Sequence, residues 1–95
     1  MKTCYLLALR VTTGSVSSFL LAGADSGTGR SLGIVRFNSA EEIRDTLQET
    51  VFGEGEERLG ALVEALNSDE SYALGELLLT DDQINALGFK GPNAD

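Results

Sequence analysis

The chain reads as a two-layer α+β domain in the order β-β-β-α-α-β-α, with a mainly antiparallel sheet of 3–4 strands and 3 helices. Three observations predict this. Residues 4–37 place apolar stretches between turn-forming clusters, as the strands of a sheet do. Ser39-Ala40-Glu41-Glu42 is a capping box that opens an apolar stripe at helical spacing. Residues 80–88 repeat that grammar, from a Thr-x-x-Gln box to a glycine stop. A length of 95 residues suits a single domain with a modest core, assigned to residues 1–89, with a flexible tail over 90–95.

Residues 4–12 read as the first strand and residues 15–22 as the second, joined through Thr13-Gly14. With that loop, Val11 faces Val16, Leu9 faces Ser18, Leu7 faces Leu20 and Tyr5 faces Ala22. The opposite face carries Arg10 with Ser17, Ala8 with Phe19, and Leu6 with Leu21. Both faces are substantially apolar, so helices on one side alone leave an apolar face uncovered. Residues 23–31 follow as a glycine-rich loop. Residues 32–37 form a third strand, with Gly33, Val35 and Phe37 on one face and Leu32, Ile34 and Arg36 on the other.

Ser39 caps the first helix, with Glu42 as its reciprocal partner, and Ala40, Ile43, Leu47 and Val51 form the buried stripe. Gly53-Glu54-Gly55 ends it. Residues 56–66 are the second helix, with Leu59, Leu62, Val63 and Leu66 facing inward. Residues 72–79 fit a strand or a helix. Leu77-Leu78-Leu79-Thr80 looks like a strand running into a cap, and Gly75 weakens a helix. In the third helix Thr80 caps with Gln83, and Ile84 and Leu87 face inward. Gly88 takes the left-handed stop position and Phe89 folds back on Ile84.

An apolar fraction of 42% with 23% charged residues belongs to a globular chain, not a disordered one. The net charge of −8 is unevenly spread. Over residues 1–40 four cations face Asp25 alone, for +3; over 41–95 three cations face fourteen carboxylates, for −11. So acidic a half repels a phosphate backbone, which argues against direct nucleic-acid binding, and its plainest role is solubility. Cys4 is the only cysteine and histidine is absent. That excludes an intrachain disulfide, a Cys/His zinc site and a histidine-activated nucleophile. No loop has EF-hand spacing, and no cofactor is implied. Glu41-Glu42, Glu56-Glu57 and Asp81-Asp82 are paired only in sequence; Glu42 has a capping role, and Glu41, Asp81 and Asp82 suit the positive end of a helix dipole. The apolar run over residues 5–9 is broken by Arg10 and Thr12-Thr13-Gly14-Ser15, too short for a secretory signal. No run approaches membrane-spanning length, and a cytoplasmic location is expected.

The loop over residues 23–31 carries two resemblances. Gly29-Arg30-Ser31 is similar to the end of a phosphate-binding loop. However, Gly23 and Gly29 are separated by five residues rather than four, Arg30 replaces the lysine, and a strand follows instead of a helix. Asp25-Ser26-Gly27-Thr28 resembles the Asp-Ser/Thr-Gly-Thr/Ser signature of pepsin-like and retroviral aspartic proteases. That resemblance covers four residues and implies a dimer in which two copies of Asp25 share a proton. It also implies a β-rich continuation with a flap, whereas this chain turns helical at residue 39. The same residue types equally build a plain connection between antiparallel strands.

These readings converge on a small, acidic, non-enzymatic interaction protein that binds or inhibits a partner protein with a basic surface. The expected partner interface is the sheet face of Leu6, Ala8, Arg10, Phe19, Leu21, Ile34 and Arg36, with Leu32 among them. Helices crossing that face would make it core instead, and a homodimer through it is the intermediate case. The expected steering face is Glu41, Asp45, Glu49, Glu54, Glu56 and Glu57. This physique is similar to that of small immunity proteins, antitoxins and phage-encoded inhibitors of nucleic-acid-binding defence systems, without a shared motif. The competing readings are a homodimeric ligand-binding regulatory domain with the glycine loop as its lid, and an aspartic peptidase using Asp25.

Overall fold

Gly14-Ser15, rather than Thr13-Gly14, forms the tip of the first hairpin in the computed structural model, which describes residues 1–89. The expected tail over 90–95 lies outside the described residues. Strands β1 (Lys2–Thr13) and β2 (Val16–Asp25) pair antiparallel with Thr13 opposite Val16. Gly14 has φ of 63° and occupies the first central position of the turn, the place where glycine matches the twist of the arms. The expected loop would have put Thr13 there. Moving the loop by one residue slides the register by two, so every side chain stays on its expected face but meets a different partner. Arg10 now faces Phe19, Ala8 faces Leu21 and Leu6 faces Gly23.

The sheet has four antiparallel strands in the order β3-β2-β1-β4, with β3 (Ser31–Phe37) and β4 (Tyr72–Leu79) at its edges. Residues 72–79, which fitted a strand or a helix, are a strand. Residues 23–25 continue β2, so the glycine-rich loop shrinks to residues 26–30.

Both edge strands bulge. The register of β3 slips opposite Gly23 and Ala24, and that of β4 slips opposite Leu6 and Leu7. Each slip holds a glycine at positive φ, Gly33 at 112° and Gly75 at 77°, beside an unpaired leucine. Those leucines, Leu32 and Leu74, are thereby turned into the core and are buried. Leu32 therefore does not share the face of Ile34 and Arg36, as strict alternation predicts.

The helices are α1 (Ala40–Leu47), α2 (Glu57–Asn67) and α3 (Asp81–Leu87). Ser39 Oγ accepts the Glu42 N–H at 3.1 Å, as the capping box requires. The Glu42 carboxylate turns instead to Asn38, accepting from its backbone N–H at 3.4 Å and its Nδ2 at 3.3 Å, so the reciprocal bond falls one residue early. Beyond α1, residues Gln48–Phe52 widen into a π-helical turn that ends at Gly53. The box of α3 is complete. Thr80 Oγ1 accepts the Gln83 N–H at 3.1 Å, and Gln83 Oε1 accepts the Thr80 N–H at 2.8 Å. Gln83 Nε2 also donates to the Thr50 carbonyl at 3.1 Å, tying α3 to the π-helical turn. Gly88 N–H to Asn85 at 3.0 Å and Phe89 N–H to Ile84 at 3.2 Å close α3 as a Schellman ending.

The helices cover one face of the sheet, and the core lies between the two layers. Cys4, Leu6, Ala8, Leu21, Phe37 and Leu79 supply its floor, and Ala40, Ile43, Leu47, Leu59, Leu62, Leu66, Ile84 and Leu87 supply its roof. Phe89 enters the same layer. Its ring sits so close to the Gly23 backbone that a Cβ there would lie 2.9 Å from it, so only glycine leaves the seat. No helix among the described residues is long and apolar enough to cross a membrane.

Candidate functional site

The expected partner interface divides between two surfaces. Leu6, Ala8 and Leu21 have no exposure at all, and Phe19 is half-buried. They belong to the core because the helices cross their face, which is the alternative the apolar pattern left open. Ile34 and Arg36 lie on the opposite, open face, both exposed. The seven residues are therefore not one surface.

Arg10 is a structural tie. Its Nη1 donates to the Leu66 carbonyl at 3.1 Å, its Nε donates to Ser17 Oγ at 3.2 Å and lies 3.3 Å from Asp69 Oδ1, and its guanidinium rests 5.3 Å from the Phe19 ring centre. A cation against the last carbonyls of α2 meets the negative end of that helix and satisfies an acceptor with no intrahelical donor. The group that was expected to edge an interface instead joins the hairpin to α2.

The open face is the one that sequence reasoning passed over. Tyr5, Leu7, Leu9 and Val11 of β1 share it with Leu20 and Ala22 of β2, Ile34 of β3 and Leu78 of β4. Ile34 is 64% exposed and Leu78 63%, values usual for polar residues. The signal nearest to an assignment was Gly23, whose missing side chain leaves the seat that Phe89 takes on the covered face.

The acidic residues gather on the helical layer. Glu41, Asp45, Glu49, Glu54 and Glu57 are exposed, and Glu56 is half-buried. Asn67 Nδ2 donates to Glu41 Oε2 at 3.4 Å, which places the end of α2 beside the start of α1. The two cations among these carboxylates are already engaged. Arg44 Nε pairs with Asp45 at 3.0 Å, and Arg58 Nε pairs with Glu56 at 3.0 Å while its guanidinium covers the Phe52 ring at 4.8 Å. The Arg58 hydrogen bonds hold the Glu56 carboxyl below the usual carboxylate range, and Glu56 in turn raises Arg58.

Asp25 closes the turn between β2 and β3. Its Oδ1 accepts the Gly27 N–H at 2.9 Å and the Thr28 N–H at 3.4 Å, and its backbone carbonyl accepts the Gly29 N–H at 2.7 Å. The Asp25 N–H donates to the Arg30 carbonyl at 2.8 Å, and the Ser26 N–H donates to Thr3 at 2.9 Å. The segment that resembles a protease signature is thus an Asx-type turn whose buried carboxylate bonds to its own loop. The same bonds knit residues 25–30 together where a lid was considered.

Among the described residues, no group of three or more Cys, Asp or Glu side chains comes together to hold a metal ion, and no buried side-chain polar atom lacks a hydrogen-bond partner. No protein-family model, no curated protein and no solved structure matches this chain.

Proposed function

We propose that this protein is a small non-enzymatic binder that acts in the cytoplasm by docking its acidic helical layer on a partner protein with a basic surface. One observation carries the reading. The exposed carboxylates of α1, of the segment after it and of the start of α2 lie on one layer, and the two arginines within that layer are engaged by Asp45, Glu56 and Phe52. The balance of charge facing water is negative. Such a surface speeds encounter with a positive one and rejects nucleic acid.

The test is capture of the tagged protein's partner from its own cells, set beside the triple variant Glu41→Lys, Asp45→Lys, Glu49→Lys. The wild type retains a basic protein that the triple variant loses, and the association rate falls steeply from low to physiological ionic strength. Equal capture by both proteins, or an association rate indifferent to salt, would remove this reading and leave the carboxylates with solubility alone.

A further inference from the structure

We infer that the open face of the sheet packs against the same face of a second copy, giving a two-fold dimer with its helical layers turned outward. This goes beyond the docking of a basic partner and does not depend on it. Tyr5, Leu7, Leu9, Leu20, Ile34 and Leu78 present a largely apolar surface where a water-facing antiparallel sheet alternates to polar residues.

Three features point to a second copy as the occupant. The first is area. Strands of 12, 10, 7 and 8 residues make a face of considerable size. At about 3.3 Å per residue and about 4.8 Å between strands it spans roughly 600 Å² in flat projection, before the relief of its side chains is added. Where the strands of two copies cross at right angles, the overlap is one sheet width by the other, about 19 Å by 19 Å or roughly 370 Å² per copy in flat projection, which makes a weak, concentration-dependent dimer. The second is direction. Both edge strands bulge at Gly33 and Gly75, which blunts edge-to-edge pairing and leaves the face as the available contact.

The third is charge. Arg36 on β3 and Glu76 on β4 both stand on the open face, and neither forms an ion pair with any described residue. Arg36 lies in the row of Leu20 and Leu9, and Glu76 in the row of Tyr5 and Ala24. The two are three strands apart across the sheet and four residues apart along it, about 14 Å by about 13 Å, so they occupy opposite corners of a near-square. A two-fold axis along the other diagonal brings each Arg36 against the partner's Glu76 and crosses the two sets of strands at near right angles. Orthogonal packing is one of the two ways in which sheets stack.

Sedimentation of the full chain over about 1–100 µM, the span in which an interface of this size is resolved, tests the proposal. The wild type shifts from monomer to dimer, and Ile34→Glu weakens the dimer at least about tenfold while its circular dichroism stays unchanged. Should that variant fail to fold, Leu78→Glu on the other edge strand gives the same readout. Arg36→Glu and Glu76→Arg each weaken the dimer by putting like charges together, and the two combined restore it. A wild type that stays monomeric throughout, a dimer that persists in the Glu variants, or a charge-swapped pair no stronger than its single variants would overturn the proposal.

Discussion

One face of the sheet carries Cys4, Leu6, Ala8 and Leu21 with no exposure, while the other leaves Ile34 and Leu78 largely in water and Tyr5 partly so. Both faces are rich in leucine and alanine, so apolar content does not decide which one the helices take. Both also set small residues beside large ones, Ala8 beside Leu21 on the covered face and Ala22 beside Leu7 on the open one. What distinguishes the covered face is the hollow at Leu6 and Gly23 that Phe89 fills.

The sharpest way to break this contrast is one truncation on each side. Leu6→Ala opens a cavity in the covered face and costs about 2–5 kcal/mol, whereas Ile34→Ala changes the monomer by no more than about 0.5 kcal/mol. Urea denaturation at a concentration below that of any dimer measures both. Equal losses would mean that the open face is as well packed as the core.

The next effect isolates the seat of Phe89. Gly23→Ala places a methyl group within 2.9 Å of that ring. Such overpacking costs about 1–3 kcal/mol, and removing the ring with Phe89→Ala relieves most of it, leaving only the contact with Leu6 Cδ2 at 3.2 Å. A double variant whose loss equals the sum of the two single losses would show that the ring does not occupy this hollow in solution.

A smaller loss follows from cutting the tie between hairpin and helix. Arg10→Met keeps the apolar stem over Phe19 but abandons the Leu66 carbonyl, at about 1–2 kcal/mol. Arg10→Lys recovers only part of this, because a single ammonium cannot reach Ser17 and Leu66 together.

The smallest effect is a pH dependence confined to the covered face. Burial pushes the Cys4 thiol up, the nearby Asp25 adds to this, and Lys2 opposes it. Below the ordinary thiol range both folded and unfolded chains hold the proton. As the pH rises through the window between the unfolded value and the raised folded one, the unfolded chain ionises first and stability falls. The stability difference between the wild type and Cys4→Ala therefore narrows from neutral to alkaline pH. A constant difference would mean that the thiol titrates alike in both states.

The local devices were legible in the residues themselves. Ser39, Thr80 with Gln83, and the Gly88-Phe89 ending act within a few residues of where they stand, and each does what its chemistry dictates. The element order followed from them. The turn was off by one residue because Thr13-Gly14 and Gly14-Ser15 are both plausible pairs, and only the demand for positive φ at the first central position separates them. What alternation could not supply was long-range. Leu32 and Leu74 escape the period of two because bulges turn them into the core, and the side of the sheet taken by the helices is settled by contacts tens of residues apart. The expected interface divides for both reasons: helices cover the face of Leu6, Ala8, Phe19 and Leu21, and the bulge in β3 puts Ile34 and Arg36 on the other.

The position of β4 beside β1 has a consequence for how the chain is made. The central strand β1 is made before its neighbours and has only β2 to pair with at first; its other flank stays bare until residues 72–79 follow. The hollow at Gly23 waits longer still, for Phe89. While this domain is being made its nascent chain therefore carries an unpaired strand edge and an unfilled core, and until residues 72–89 have followed a chaperone has most to protect.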